Sequence, residues 1–75
     1  MKKTCIVTGG SSGIGLSIVK LFHENNYRVF NLDLSPSPFG EFCHCDVTNI
    51  NQVTDIINNI SNTHVIDVLV SNAGI

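Results

Sequence analysis

Four glycines, Gly9, Gly10, Gly13 and Gly15, stand between a β-branched run and an apolar stripe at helical spacing, and this juxtaposition restricts the fold more than any other feature. Thr4–Thr8 reads Thr-Cys-Ile-Val-Thr, a short run stopped by glycine, as expected of a buried strand in a parallel sheet. Beyond the glycines, Ile14, Ile18, Leu21 and Phe22, widened by Leu16 and Val19, predict a helix to about Glu24. Asn25-Asn26 supplies its stop, because Asn tolerates the left-handed conformation at a helix end.

The pattern then repeats. Val29, Phe30 and Leu32 predict a second strand ending at Asp33, and Ser35-Pro36-Ser37-Pro38 a solvent-facing loop. Residues 41–47 predict a third strand, after which Thr48 is placed to cap a helix with Ile50, Val53, Ile57 and Ile60 on one face. Ser61-Asn62-Thr63 ends that helix, and residues 65–70 form a fourth strand leading into Ser71-Asn72-Ala73-Gly74. Strand, helix, strand, loop, strand, helix, strand is the order of an α/β protein with a Rossmann-type doubly wound parallel sheet, whose ligands sit outside the carboxyl ends of the strands. The residues with chemical potential fall at those ends: residues 8–15, Asp33, Asp46 and residues 72–74 converge on one crevice. The sheet order should turn at the first strand, placing the fourth beside it with an open apolar edge suited to further strands or to self-association.

Missing Cβ atoms let the glycine segment turn tightly and approach a pyrophosphate, and the helix start behind it offers free N–H groups to an anion. The alternatives are a merely flexible turn or a triphosphate loop. The latter lacks its cation, since Leu16 stands where a lysine is needed. Asp33 lies twenty positions after Gly13, the distance at which a carboxylate accepts from the adenosine ribose of NAD, unless it is simply a solvated loop-edge residue. It would repel a 2′-phosphate, and no Lys or Arg in the glycine loop or just after Asp33 offsets that, so NAD is expected over NADP. Asp46 is placed to accept from the adenine amino group, or only to cap the following helix.

The 75 residues form at most one domain, with a marginal core. A net charge of −2 without a basic run argues against nucleic acid. Cys5-Ile6-Val7 is too short for a signal-peptide core, and no stretch approaches the ~18 apolar residues of a membrane span. The expectation is a cytoplasmic protein without membrane partners, in which Cys5, Cys43 and Cys45 stay reduced. Cys43-His44-Cys45-Asp46 lacks zinc spacing, since only Cys43 and Cys45 share a strand face, so no metal is expected. His23 and His64 read as solvated histidines near element ends, and Cys5 as a small buried hydrophobe.

Thr8-Gly9-Gly10-Ser11-Ser12-Gly13-Ile14-Gly15, Asp33, Asp46-Val47-Thr48 and Asn72-Ala73-Gly74 together resemble the short-chain dehydrogenase/reductase family over the whole chain. The resemblance implies that Gly9, Ser11, Gly13, Ile14 and Gly15 line a pyrophosphate, that Asp33 holds the ribose, and that Asp46 and Val47 flank the adenine. It further implies that Asn72, Ala73 and Gly74 support the central strand and touch the cofactor. With Thr8, Ser12 and Leu34 these make up the candidate cofactor site. Ser71 departs from the Asn usual in the family. The family's catalytic Ser and Tyr-x-x-x-Lys would lie beyond Ile75, and the one tyrosine, Tyr27, is followed four residues on by Asn31. Residues 1–75 are therefore expected to be the N-terminal, cofactor-binding portion of one domain of an alcohol- or carbonyl-acting oxidoreductase, with no catalytic residue and no dehydrogenase activity alone. The alternative is a non-catalytic dinucleotide-binding module acting alone or with a partner chain.

Overall fold

The computed structural model describes residues 2–72. Four parallel strands, β1 (Thr4–Thr8), β2 (Arg28–Asp33), β3 (Glu41–His44) and β4 (Ile66–Ser71), form one sheet in the order β3-β2-β1-β4. Helix α1 (Gly13–Glu24) links β1 to β2, and α2 (Ile50–Ser61) links β3 to β4. The sheet winds one way from β1 to β3 and then returns to β1's other side, as expected of a doubly wound fold.

The apolar alternation of the strands divides the core in two. Cys5, Val7 and Val29 meet Val19 of α1 on one face, while Ile6, Phe30, Leu32 and Cys45 meet Ile60 of α2 on the other. Cys5, Ile6 and Val7 are fully buried, the both-sided burial expected of the central parallel strand. That burial also pushes the Cys5 thiol up to about 11, so it remains a protonated packing group rather than a nucleophile.

Several boundaries differ from the sequence expectation. α1 buries Gly15 and Val19, with Ile18 and Phe22 beside them, whereas Ile14 and Leu21 are exposed. The spacing 15, 18, 19, 22 aims one narrow stripe at the sheet, and Ile14, one residue earlier, falls outside it. In α2 the stripe is Val53, Ile56, Ile57 and Ile60, with Ile50 exposed in the first turn. β3 ends at His44 rather than at residue 47, because Asp46 turns the chain by accepting from Thr48. Asn49, not Thr48, then caps α2, its side chain accepting from the Asn51 and Gln52 N–H groups. At the end of α1, Asn26 takes φ 65°, the left-handed stop read from Asn25-Asn26.

β4 begins at Ile66 and carries a register shift against β1, with Thr4 opposite Ile66 but Cys5 opposite Val68. Asp67 is the extra residue, and its carboxylate accepts the Thr4 N–H at 2.8 Å. Ile66 consequently packs on the α2 side and Val68 on the α1 side. Among the described residues β4 pairs only with β1, and Leu69 is exposed. The β2–β3 link, residues 34–40, contains no helix, although parallel neighbours ordinarily need a crossover of about a dozen residues. It crosses on the α1 side, where Phe39 packs against that face of the core and its ring lies 5.4 Å from His23.

Candidate functional site

At the carboxyl end of β1 the chain must leave the sheet and enter α1, and Gly9 (φ 70°) and Gly13 (φ 57°) take the left-handed conformations that this path requires. Between them the loop is tied to its neighbours. The Gly9 N–H donates to the Leu32 carbonyl at 2.8 Å and the Gly10 N–H to Asn31 Oδ1 at 2.8 Å. Gly15 is the point of closest approach. A Cβ there would lie 2.0 Å from the Gly9 carbonyl oxygen and 2.6 Å from Asn72 Nδ2, so only glycine lets α1 start this close to the strand end.

The two helix starts differ in a way that bears on ligands. At α2 the Asn49 side chain occupies the first-turn N–H groups. At α1 the N-cap Ser12 makes no side-chain cap bond; neither helix has an acidic residue in its first turn. The first N–H groups of α1 and the positive end of its dipole thus lie without a side-chain cap at the carboxyl end of β1, an arrangement suited to an anion.

Asp33, at the end of β2, points its carboxylate back to the glycine loop. Oδ2 accepts the Ser11 N–H at 3.2 Å and Oδ1 accepts the Leu34 N–H at 2.7 Å. Asp46 sits one strand further out, with Oδ1 accepting from the Thr48 hydroxyl at 2.6 Å and the Thr48 N–H at 3.0 Å. Its backbone N–H donates to Gln52 Oε1 at 3.0 Å. Asp46 therefore closes the turn before α2 rather than capping the helix, which Asn49 does, and its other oxygen has no protein donor among the described residues.

The Thr48 hydroxyl, and then the Thr48 N–H, hold the Asp46 carboxyl below its ordinary value. The bonds favour the ionised form, so the turn is fully supported above the ordinary aspartate value of ~3.9 and is lost as pH falls through the lowered one. Thr48→Val should move the Asp46 midpoint upward in a carbon-detected NMR titration. An unmoved midpoint would exclude the hydroxyl as the main cause.

On the other side of β1, the Thr8 hydroxyl donates to the Val70 carbonyl at 3.4 Å and accepts the Asn72 N–H at 3.0 Å, while Asn72 Nδ2 donates to the Gly9 carbonyl at 3.1 Å. These bonds bridge β1 and β4 where the sheet order reverses. Thr8, Gly9, Ser11, Ser12, Gly13, Ile14, Gly15, Asp33, Leu34 and Asn72 thus gather at one end of the sheet, with Asp46 and Val47 following β3 at the same end. Ala73 and Gly74 lie outside the described residues.

Asn31 was missed by the sequence reading. It is fully buried in β2, and its Nδ2 donates to the Ser11 hydroxyl at 2.9 Å while its Oδ1 holds Gly10. The available signal was a lone amide between Phe30 and Leu32 in an otherwise apolar predicted strand, a position that demands hydrogen-bond partners if buried. Tyr27 lies at the opposite end of the sheet, edge-on to Phe22 at 4.8 Å. A depression of about 280 Å³ there is lined by Lys2, His23, Tyr27, Arg28, Val29, Gly40 and Glu41. Its Arg28 is already paired with Glu41 at 3.1 Å, and it lies at the amino ends of the strands, away from the ligand end of such sheets. Among the described residues no His, Cys, Asp and Glu group is arranged to hold a metal, and no helix is long and apolar enough to cross a membrane.

Comparison with known proteins agrees with this geometry. (+)-Borneol dehydrogenase 1 of Salvia officinalis is 39% identical over 85 aligned positions, covering 97% of this chain and 32% of that protein. Xanthoxin dehydrogenase of Arabidopsis thaliana is 34% identical, covering 97% of this chain and 31% of its own length. Ligand-free aldohexose dehydrogenase of Thermoplasma acidophilum superposes with a TM-score of 0.89 at 39% identity, over 99% of this chain and 30% of that one. A short-chain dehydrogenase from Leptospira borgpetersenii with bound NAD+ gives a TM-score of 0.84 at 28% identity, over 100% of this chain and 32% of its own. ElxO with NADP bound gives 0.84 at 35% identity, over 100% and 36%. The chain therefore spans about a third of the length of these relatives. Residues 3–75 match the family model described as short chain dehydrogenase, and with the glycine loop, Asp33 and Asn72 placed as above, the chain belongs to the short-chain dehydrogenase family.

Proposed function

We propose that this chain is the NAD(H)-binding part of a cytoplasmic short-chain oxidoreductase that moves hydride between nicotinamide and an alcohol or carbonyl substrate. The observation that carries the reading is the α1 amino end, which no side chain caps, at the same end of the sheet as the carboxylates of Asp33 and Asp46. A dinucleotide fits these residues. The glycine loop and the first N–H groups of α1 suit a pyrophosphate, Asp33 retains lone pairs for ribose hydroxyls, and the second oxygen of Asp46 suits the adenine amino group. Val47, Asn72, Ala73 and Gly74 complete the proposed set, the last two on sequence grounds.

NAD(H) is preferred to NADP(H) in this reading because Asp33 is anionic and residues 9–16 and 34–40 contain no Lys or Arg. When bound, the cofactor supplies the hydride chemistry; the residues here hold and orient it. The substrate proton is left to groups outside these 75 residues, since Tyr27 lies at the far end of the sheet and has no lysine four positions on. The outer edge of β4 is where further strands or a second copy would pair.

Fluorescence titration with NADH should show saturable binding, with ADP-ribose competing. Asp33→Ala should weaken NADH roughly 10- to 100-fold, the effect of removing hydrogen bonds to a charged group. No saturable binding by the wild-type protein would defeat the proposal.

A further inference from the structure

Ser11 has both of its donors engaged within the protein. Its N–H donates to Asp33 Oδ2 at 3.2 Å, and its hydroxyl donates to the Ser35 carbonyl while accepting from Asn31 Nδ2 at 2.9 Å. Asn31 in turn holds the Gly10 N–H at 2.8 Å. The glycine loop, buried β2 and the β2–β3 link are therefore stitched together at one side chain. That link is short for a parallel crossover, and Pro36 and Pro38 fix φ at two of its positions. The alignments with two plant relatives run to 84 and 85 positions against 75 residues here, so the relatives carry positions that this chain lacks.

We infer that this Ser11 latch is a specificity-determining device that keeps a 2′-phosphate out of the site, beyond the repulsion exerted by the Asp33 charge. The inference rests on the reading of Asp33 as the ribose acceptor. A ribose diol brings its own donors and needs only lone pairs, and each Asp33 oxygen, accepting one N–H bond, has lone pairs to spare. A 2′-phosphate brings acceptor oxygens alone and needs donors. The two backbone N–H groups flanking the carboxylate, those of Ser11 and Leu34, both already end on Asp33. Turning the Asp33 side chain would free them but leave its charge beside the phosphate, so admitting a 2′-phosphate takes residues 34 and 35 away from the glycine loop, a movement that the Ser11 hydroxyl bond to the Ser35 carbonyl opposes. The neighbours bound to NAD+ and to NADP both superpose at 0.84, so the overall backbone trace does not separate the two cofactors.

The test compares NADH and NADPH affinities, by fluorescence titration, for wild type, Ser11→Ala and Ser11→Thr in the protein at the length its natural source makes, with circular dichroism confirming folding. Ser11→Ala should lower the NADH preference roughly tenfold, the effect of one such hydrogen bond, mainly through tighter NADPH binding. Ser11→Thr restores the hydroxyl and should keep the wild-type ratio. An unchanged ratio in Ser11→Ala, or equal weakening of both cofactors, overturns the latch and leaves the dinucleotide site standing. A wild-type protein that binds neither nucleotide overturns the site reading, and the latch falls with it.

Discussion

Gly15→Ala is expected to abolish NADH binding and to cost about 3 kcal/mol or more of stability, at the upper end of what overpacking costs. The added methyl would sit 2.0 Å from the Gly9 carbonyl oxygen, and neither side can yield easily. Gly9 is held by its N–H bond to Leu32 and by the amide of Asn72, and Gly15 lies in the first turn of a helix whose Val19 is fully buried. A domain of this size has a total stability of only ~5 kcal/mol, so the loss should appear as a large fall in urea midpoint. Gly13→Ala provides the comparison. Its Cβ would meet nothing within 4 Å, and the only penalty is the positive φ of 57°, roughly 1–2 kcal/mol. The two variants therefore separate close approach from backbone strain. Equal stability losses would show that the helix start is not packed against the strand end as described.

Asn31→Leu should cost about 2 kcal/mol and weaken NADH binding by tenfold or more, although the substitution keeps the number and branching of the side-chain heavy atoms and places an apolar residue in a buried strand. The reason is the partner left behind. Gly10 is buried, and without Asn31 Oδ1 its N–H loses its acceptor, a penalty of ~1–3 kcal/mol. Ser11 loses the amide that orients its hydroxyl, so the loop would no longer be held in one shape. Chemical denaturation reads the first effect, and amide exchange at Gly10 the second. A variant as stable as wild type, with Gly10 equally protected, would mean that the amide merely fills space.

Much of this architecture was legible because each strand announces itself by composition and each turn by its breakers. Cys5-Ile6-Val7 before paired glycines could only be a buried strand meeting a tight turn, and Asn26 supplied the left-handed stop. The misread boundaries share a cause: short-range competition between equivalent side chains. Thr48 and Asn49 are both good caps, and Asn49 prevails because Asp46 draws the Thr48 hydroxyl into its own turn. Ile14, Leu21 and Ile50 are as apolar as the residues that become buried. Only the angle at which each helix meets the sheet decides which of them stay exposed. The partners of Asn31 and Ser11 were illegible for a different reason. They join residues 20 to 24 positions apart, and no local pattern encodes that pairing.

Helix starts also explain why the site is proposed at one end of the sheet. The same element, an α-helix entered from a strand, is capped by its own Asn49 at α2 and left for a ligand at α1, where glycine replaces side chains that would fill the space. In the proposed site the carboxylates of Asp33 and Asp46 offer acceptors to a nucleoside, and the α1 amino end offers donors to a pyrophosphate.

The most direct test of the central claim is an amide NMR titration of the protein with NADH. Saturable shifts concentrated at Gly9, Gly13, Ile14, Gly15, Leu34 and Val47 would place the dinucleotide across the carboxyl ends of β1, β2 and β3. Shifts clustered instead at Lys2, His23, Tyr27 and Arg28, or none that saturate, would contradict it.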